Sequence, residues 1–187
     1  MPSVRSSQLK EDVLALASLG EDVRAGVMRR LSPETLRQIA DASRVEWLPH
    51  HLLLELVHAI REVAGEEALR GWGFATVKGT MQATLYRPFL EGLVAVFGLS
   101  PTAAWKVLPR AYAAAFKDCG EIRLLESGPG AARMVLADLP LEAKDRDWLL
   151  TVAGAFELVF DFCKVKGRVE LQMANPSADP HFYATWK

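Results

Sequence analysis

The sequence predicts an α+β fold in which a helical N-terminal half is followed by a β-hairpin, a long helix and a second β-hairpin. Three observations support this prediction. Apolar residues recur at helical spacing from Gln8 to about Lys117. Alternating apolar and polar residues flank the turn signal Ser127-Gly128-Pro129-Gly130. A long apolar stretch over 145–165 then precedes two further alternating stretches.

Serine–proline pairs mark the starts of two helices in the first half. In Ser32-Pro33 and Ser100-Pro101 the serine can cap the first turn, and proline fits the first helical position. We expect the second of these helices to reach about Lys117.

A third helix is predicted to start at Pro49 and to end at Gly65, which can cap its last turn. Its apolar stripe consists of Leu53, Leu56, Val57, Ile60, Val63 and Ala64. Segment 66–84 contains three glycines, so we expect a helix with a kink or an irregular turn there. A further helix is predicted over Tyr86–Phe97.

The second half contains four short alternating stretches around one long helix. Two hairpins joined by a helix can form one antiparallel sheet with the helix lying across one face. The long helix over Asp145–Val165 is apolar on most sides, and we expect its stripe of Glu157, Asp161 and Lys164 to face solvent. The other face of the sheet is predicted to carry polar residues, namely Arg123, Arg133, Arg168 and Glu170.

Composition and charge exclude several classes of protein. Lys plus Arg number 22 against 23 for Asp plus Glu, so the net charge of −1 gives no support for nucleic acid or an anionic membrane as a partner. The longest apolar run, near 151–160, is too short to span a bilayer. The first ten residues lack the apolar core of a secretory signal, and two cysteines favour a reducing compartment. We therefore expect a cytoplasmic location.

No motif for catalysis or metal binding emerges. Segment 73–80 has the order Lys-Gly-Thr instead of the Gly-Lys-Ser/Thr that a phosphate loop requires. His50, His51 and His58 lie on one helix, but His51 and His58 are two turns apart and lack a third ligand. We expect solvated or packed histidines. No nucleophile, base and orienting residue can be assembled, so the sequence favours a non-catalytic protein without a metal.

Aromatic residues are the candidates for a ligand site. They are concentrated in the helical half, several beside glycine, and mostly apolar pockets are typical of small-molecule sites. The alternative is a core that is rich in large side chains. The candidate ligand-binding residues are Trp72, Phe74, Tyr86, Phe89, Trp105 and Tyr112.

The order of several segments resembles a known superfamily over residues 45–187. These segments are Trp47-Leu48-Pro49, Leu108-Pro109-Arg110-Ala111-Tyr112, Gly128-Pro129-Gly130, Gly154-Ala155-Phe156-Glu157 and Phe182-Tyr183-Ala184-Thr185-Trp186. They resemble the ligand-binding fold shared by heme-NO-binding sensors, 4-vinyl reductase domains and TRAPP-type trafficking subunits. Within it the chain is most similar to a myxobacterial paralogous family. We accordingly divide the chain into an N-terminal helical extension, 1–44, and a ligand-binding-like α+β domain, 45–187.

The resemblance implies a pocket between helices and sheet, but it does not carry a cofactor over to this chain. Heme-NO-binding members use a helical histidine and a Tyr-x-Ser-x-Arg strand pattern, and neither occurs in the corresponding segments here. Cysteine clusters like those of some vinyl reductases are also missing. We therefore predict no cofactor.

Two functions stay open from the sequence. The first is a binding or signalling module that holds a small apolar ligand, and the second is a protein–protein adaptor with no ligand. A homodimer or a protein partner on the helical surface is also expected, because segment 1–44 has many apolar residues that must be buried, either within the chain or against a second copy. These residues are Leu14, Leu16, Leu19, Val23, Val27, Met28, Leu31, Leu36 and Ile39.

Overall fold

A computed structural model of the chain describes residues 1–82 and 100–187. Within these residues the secondary structure consists of helices and two antiparallel sheets, which confirms the α+β prediction. The helix predicted over Tyr86–Phe97 lies outside the described residues. None of the described helices is long and apolar enough to cross a membrane.

The first half is mainly helical, as the spacing of apolar residues predicts. Its elements are β1 (Ser3–Arg5), α1 (Ser6–Ala15), a 3₁₀ helix (Leu16–Leu19), α2 (Glu21–Arg30), α3 (Pro33–Asp41), β2 (Trp47–Pro49), α4 (His51–Ala64) and α5 (Glu66–Gln82). The Ser32 side chain accepts a hydrogen bond of 3.0 Å from the backbone N–H of Thr35, which confirms the predicted cap. Gly65 follows α4 with a positive φ of 81°, where glycine is favoured.

The second half contains the two predicted hairpins. Its elements are α6 (Pro101–Trp105), α7 (Leu108–Ala115), β3 (Phe116–Lys117), β4 (Glu121–Gly128), β5 (Ala131–Ala137), a 3₁₀ helix (Leu141–Ala143), α8 (Arg146–Cys163), β6 (Gly167–Gln172) and β7 (His181–Trp186). Asp145 caps α8, because its side chain accepts a hydrogen bond from the Trp148 backbone N–H at 2.8 Å.

The four-stranded sheet has the order β4-β5-β7-β6, with all neighbours antiparallel. Its inward side chains are buried under α8, which packs across the sheet as predicted. They include Met134, Leu136, Val169, Phe182 and Ala184.

A second sheet, which the sequence did not indicate, joins the N-terminus to the rest of the chain. Here β1 pairs with β2 on one side and with β3 on the other. Val4 lies opposite Leu48 in one pair and opposite Phe116 in the other. The predicted segment 1–44 is therefore hydrogen-bonded to two strands of the predicted segment 45–187.

The helix expected from 101 to about 117 is instead two short helices and a strand. Proline cannot donate a backbone hydrogen bond, and its ring clashes with the carbonyl four residues earlier in a continuous helix. Pro109 therefore fits the first turn of α7, and α6 ends at Trp105, four residues before it.

The irregular turn that the three glycines suggested is absent from the described part of segment 66–84, because α5 continues as one helix of 17 residues. Gly73 allows α8 to approach α5. A Cβ added at Gly73 would lie 2.0 Å from the backbone oxygen of Thr151, and one at Gly154 would lie 2.1 Å from that of Arg70. The two helices therefore cross with their backbones in contact.

The apolar residues of segment 1–44 pack mostly within the chain. Leu16, Val27, Leu31 and Ile39 are fully or almost fully buried, whereas Leu14 is 65% exposed. Four more, Leu19, Val23, Met28 and Leu36, are half-buried against the core. Intramolecular packing thus accounts for the apolar excess from which an interface was expected.

Candidate functional site

A pocket of about 470 Å³ opens between the first 3₁₀ helix and α5. Small or apolar residues dominate its lining, and none of them belongs to α8 or to a sheet. The lining residues are Ser18, Leu19, Gly71, Phe74, Ala75, Lys78 and Gly79.

Three small residues at successive turns of α5 create the floor of this pocket. Gly71, Ala75 and Gly79 are four residues apart, so they share one face of the helix. A Cβ added at Gly71 or Gly79 would have nothing within 4 Å among the atoms considered around it. Phe74 and Leu19 contribute the large apolar side chains of the lining.

Lys78 is the charged residue of the lining. Its Nζ lies 3.3 Å from Oδ2 of Asp161 on α8 and 5.3 Å from the ring centroid of Phe74. Both partners of the ion pair are about half exposed, so solvent screens the attraction between them. An ammonium group has three donors, and this pair leaves some available to a ligand at the rim.

The neighbouring face of α5 packs against α1 through a buried polar group. Asp12 is 4% exposed, and its Oδ1 accepts a hydrogen bond from Gln8 Nε2 at 2.9 Å. Burial raises the pKa of the Asp12 carboxyl to about 7, although hydrogen bonds from Gln8 and Thr76 oppose this shift. Trp72 donates its indole N–H to the Asp12 backbone oxygen at 2.9 Å.

The structure separates the predicted aromatic ligand residues. Phe74 lines the pocket, whereas Trp72 is buried on the adjacent face of α5. Trp105 is fully buried in α6, and Tyr112 in α7 stacks on Phe116 and donates its hydroxyl to the Cys119 backbone oxygen. The other two candidates, Tyr86 and Phe89, lie outside the described residues.

Aromatic rings of the described residues pack on one another between α6, α8 and the four-stranded sheet. The Trp105 ring centroid is 6.4 Å from that of Phe156, 5.6 Å from that of Phe160 and 6.2 Å from that of Trp186. Phe156 also contacts the Phe182 ring at 5.1 Å. In this part of the interior, core packing is the role that these contacts support.

The histidines of α4 and its N-terminus take up different environments. His50 is buried between Trp148 and Phe116, with ring centroids 4.5 and 6.4 Å away, and burial lowers its pKa to about 4. His58 Nε2 lies 2.7 Å from Asp145 Oδ2, and His51 is exposed. They are packed or solvated, as predicted, and do not converge.

The acidic stripe of α8 was expected to face solvent, but it pairs with α5. Glu157 accepts hydrogen bonds from Arg70 at 2.5 Å and from the Val169 backbone N–H at 3.1 Å. Asp161 pairs with Lys78, as described above. The solvent-facing expectation is wrong for Glu157, which is half-buried against Arg70 of α5, whereas Asp161 and Lys164 are exposed as predicted.

Comparison with known proteins shows which known fold this chain shares. No protein-family model matches the sequence, and no curated protein does so either. The structure superposes on an Fe(II) unliganded H-NOX protein from K. algicida with a TM-score of 0.67 and 10% identity, covering 98% of this chain and 96% of the other. An oxygen-binding H-NOX domain related to soluble guanylate cyclases gives a TM-score of 0.61 and 14% identity, covering 98% and 95%.

A mutant of Cs H-NOX is similar to the same degree, with a TM-score of 0.63 and 13% identity over 98% of this chain and 96% of the other. Identities this low establish the fold alone. The chain is therefore an α+β protein with the H-NOX fold over almost its whole length. The superposition covers the predicted segment 1–44 as well as the segment on which the sequence resemblance is based.

The H-NOX fold implies a heme, and the described lining of the pocket between the first 3₁₀ helix and α5 does not fit one. Heme iron is held by His, Cys, Met or Tyr side chains, and the pocket lining contains none of these. Nor do the described residues contain a group of three or more His, Cys, Asp or Glu side chains that could hold a metal ion.

Some side chains of the iron-binding types are hydrogen-bonded within the described interior, whereas the buried His50 Nε2 and His181 Nδ1 have no hydrogen-bond partner among the described residues. Burial raises the pKa of the Cys119 thiol to about 11, and its Sγ lies 3.4 Å from the Lys117 backbone oxygen, so the thiol stays protonated. Rings enclose His50, and the Tyr112 hydroxyl is hydrogen-bonded to a backbone oxygen. We therefore assign no chemistry to heme in this chain.

Proposed function

We propose that this protein is a non-catalytic binding or signalling module that holds a small apolar ligand in the pocket between the first 3₁₀ helix and α5. The observation that carries the proposal is the pocket itself. It is a groove open to solvent, and its volume of about 470 Å³ and its mostly apolar lining suit a small molecule. The absence of heme ligands from this lining favours an organic ligand over a gas bound to iron.

Phe74 is the predicted aromatic residue that would contact this ligand directly. Leu19 faces it across the pocket, and Trp72 supports the same turn of α5 through its hydrogen bond to Asp12. Tyr86 and Phe89 stay predictions. For Trp105 and Tyr112, the ring contacts described above favour a packing role.

Lys78 indicates the chemical class of the ligand. Among the described lining residues Lys78 is the charged one, and its ammonium group has N–H donors beyond the one that faces Asp161, so a ligand carboxylate would find a donor there. The favoured ligand is therefore an apolar chain or ring with an acidic head group.

Titration of ¹⁵N-labelled protein with decanoate and with decanol tests the proposal by NMR. We expect saturable shift changes at the pocket residues with both probes. Gly71→Leu should weaken binding at least about tenfold, because it places a side chain in the pocket. Gly128→Leu is the matched control, since Gly128 also has open space around it but lies in β4. Shifts that are missing, or that survive Gly71→Leu, would contradict the proposal.

A second variant tests the contribution of the ligand head group separately from that of the apolar pocket. Lys78→Gln keeps the aliphatic stem and should weaken decanoate about two- to fivefold while leaving decanol unchanged. Equal binding of decanoate by both proteins would reject the acidic head group and leave the pocket standing.

The alternative function is a protein–protein adaptor without a ligand, and the ring-filled interior between α6, α8 and the sheet favours it.

In either case we propose a homodimer or a protein partner, with light scattering after size exclusion as the test. We also propose a cytoplasmic location, because Cys119 and Cys163 are both free.

A further inference from the structure

Trp105 attaches the short helix α6 to the interior. Of the five residues in α6, Pro101 and Trp105 are the buried ones, and Trp105 has no exposed surface. The large side chain that α6 contributes to the core is thus a single indole.

The walls around this indole are themselves rigid rings. Phe156 and Phe160 on α8 present edge-to-face contacts to it, and Trp186 on β7 lies at an angle of 36°. Aromatic side chains held by a long helix and a central strand cannot collapse easily into a vacated space.

The buried Trp105 N–H has no hydrogen-bond partner among residues 1–82 and 100–187. Trp72 is buried to the same extent, yet its N–H donates to the Asp12 backbone oxygen. A buried donor without an acceptor is unfavourable, so the shape of the Trp105 ring, and not its polar atom, must account for its position.

We infer that Trp105 is a built-in occupant of the interior, and that its indole fills a space between α6, α8 and β7 that would otherwise admit a planar aromatic ligand. The side chain thereby closes this space to a heme or any similar ring system. An indole nitrogen carries a proton and donates only, so Trp105 cannot replace a metal ligand. This site is separate from the pocket between the 3₁₀ helix and α5.

Substitution of Trp105 by glycine, followed by addition of indole, tests the inference. We expect Trp105→Gly to lower the melting temperature, and indole at about 100 times its Kd to raise it again by roughly 5–10 °C. An apolar cavity with rigid walls takes up small aromatic molecules in this way. Indole should leave the wild-type melting temperature unchanged.

Trp148→Gly is the matched control, because Trp148 is another almost fully buried tryptophan packed against rings. Indole should restore it less, because the His50 imidazole, whose ring centroid lies 4.5 Å from that of Trp148, gives the vacated space a polar wall. Equal restoration of both variants would overturn the inference, because it would show that any vacated core position binds indole. A failure of indole to raise the melting temperature of folded Trp105→Gly would also overturn it.

A second variant covers the case in which Trp105→Gly does not fold. Trp105→Leu keeps an apolar side chain and leaves room for one ring, so benzene is its probe. A rise in melting temperature with benzene in Trp105→Leu, absent from the wild type, supports the inference. If benzene causes no rise, or if neither variant folds with its probe present, Trp105 is an irreplaceable core residue and the inference is wrong.

Discussion

Two faces of α5 use glycine in opposite ways. On the face toward α8, Gly73 brings two backbones together, and a Cβ there would lie 2.0 Å from the Thr151 oxygen. On the face toward the pocket, Gly71 and Gly79 leave open space. Glycine therefore permits close helix packing on one side of α5 and leaves space for a pocket on the other.

The difference separates structural from functional glycines. Glycine inside a helix costs roughly 0.5–1 kcal/mol relative to alanine. At Gly73 the close packing of α5 against α8 offsets this loss. At Gly71, nothing in the described structure offsets the free-energy cost of glycine. A residue that disfavours the helix without a compensating contact is typical of a functional site.

The largest expected effect is at the closed face. Gly73→Ala places a methyl group against a backbone oxygen that cannot move without separating α5 from α8, so we expect a loss of more than about 4 kcal/mol in the free energy of unfolding. Urea denaturation followed by circular dichroism measures it. A loss below about 1 kcal/mol would show that the two helices are not in backbone contact.

Phe156→Ala is expected to destabilise the chain by about 3–5 kcal/mol, because the Phe156 ring packs between Trp105 and Phe182 in the filled interior. The same denaturation experiment applies. If the loss is below about 1 kcal/mol, the core face of α8 has been misplaced.

The third face of α5 packs against α1 at the buried Asp12. Unlike the two substitutions above, a substitution of Asp12 is expected to stabilise the protein, by an amount that depends on pH. Because the folded pKa of Asp12 is raised to about 7 from 3.8, stability is lost as the pH rises through this window. Asp12→Asn removes the buried charge, so it should stabilise the protein by about 2–4 kcal/mol at pH 8 and by much less near pH 4.

Chemical denaturation of wild type and variant at both pH values measures the difference in their free energies of unfolding. The contributions of all other titrating groups are the same in both proteins and cancel from this difference. An equal effect of Asp12→Asn at pH 8 and at pH 4 would mean that the carboxyl titrates normally.

The smallest effect is expected at the open face. Gly71→Ala should stabilise the protein by roughly 0.5–1 kcal/mol, because alanine favours the helix and its methyl group meets no neighbour. The comparison between the two faces would fail if Gly71→Ala destabilised the protein as Gly73→Ala is expected to do.

The sequence predicted those parts of the fold that depend on local signals. The cap at Ser32, both hairpins and α8 are local patterns of periodicity and turn chemistry, and all are present. The sheet β2-β1-β3 was missed because its strands have only two or three residues, too few to show alternation.

The site was harder to predict, because it depends on contacts between distant segments. Phe74 was identified as a candidate, but Leu19 and Lys78 were not, since nothing local shows that the first 3₁₀ helix lies beside α5. Likewise, the glycines of α5 suggested a kink, and their separate roles became visible only with α8 in place.

Titration of the purified protein with hemin, followed by absorption spectroscopy, tests the central claim most directly. That claim is the prediction that this chain binds no heme, which we base on its sequence and on the packing of its own aromatic rings around Trp105. We predict no saturable, sharpened Soret band at one equivalent of hemin. A saturable band that is lost when one histidine is substituted would contradict the account.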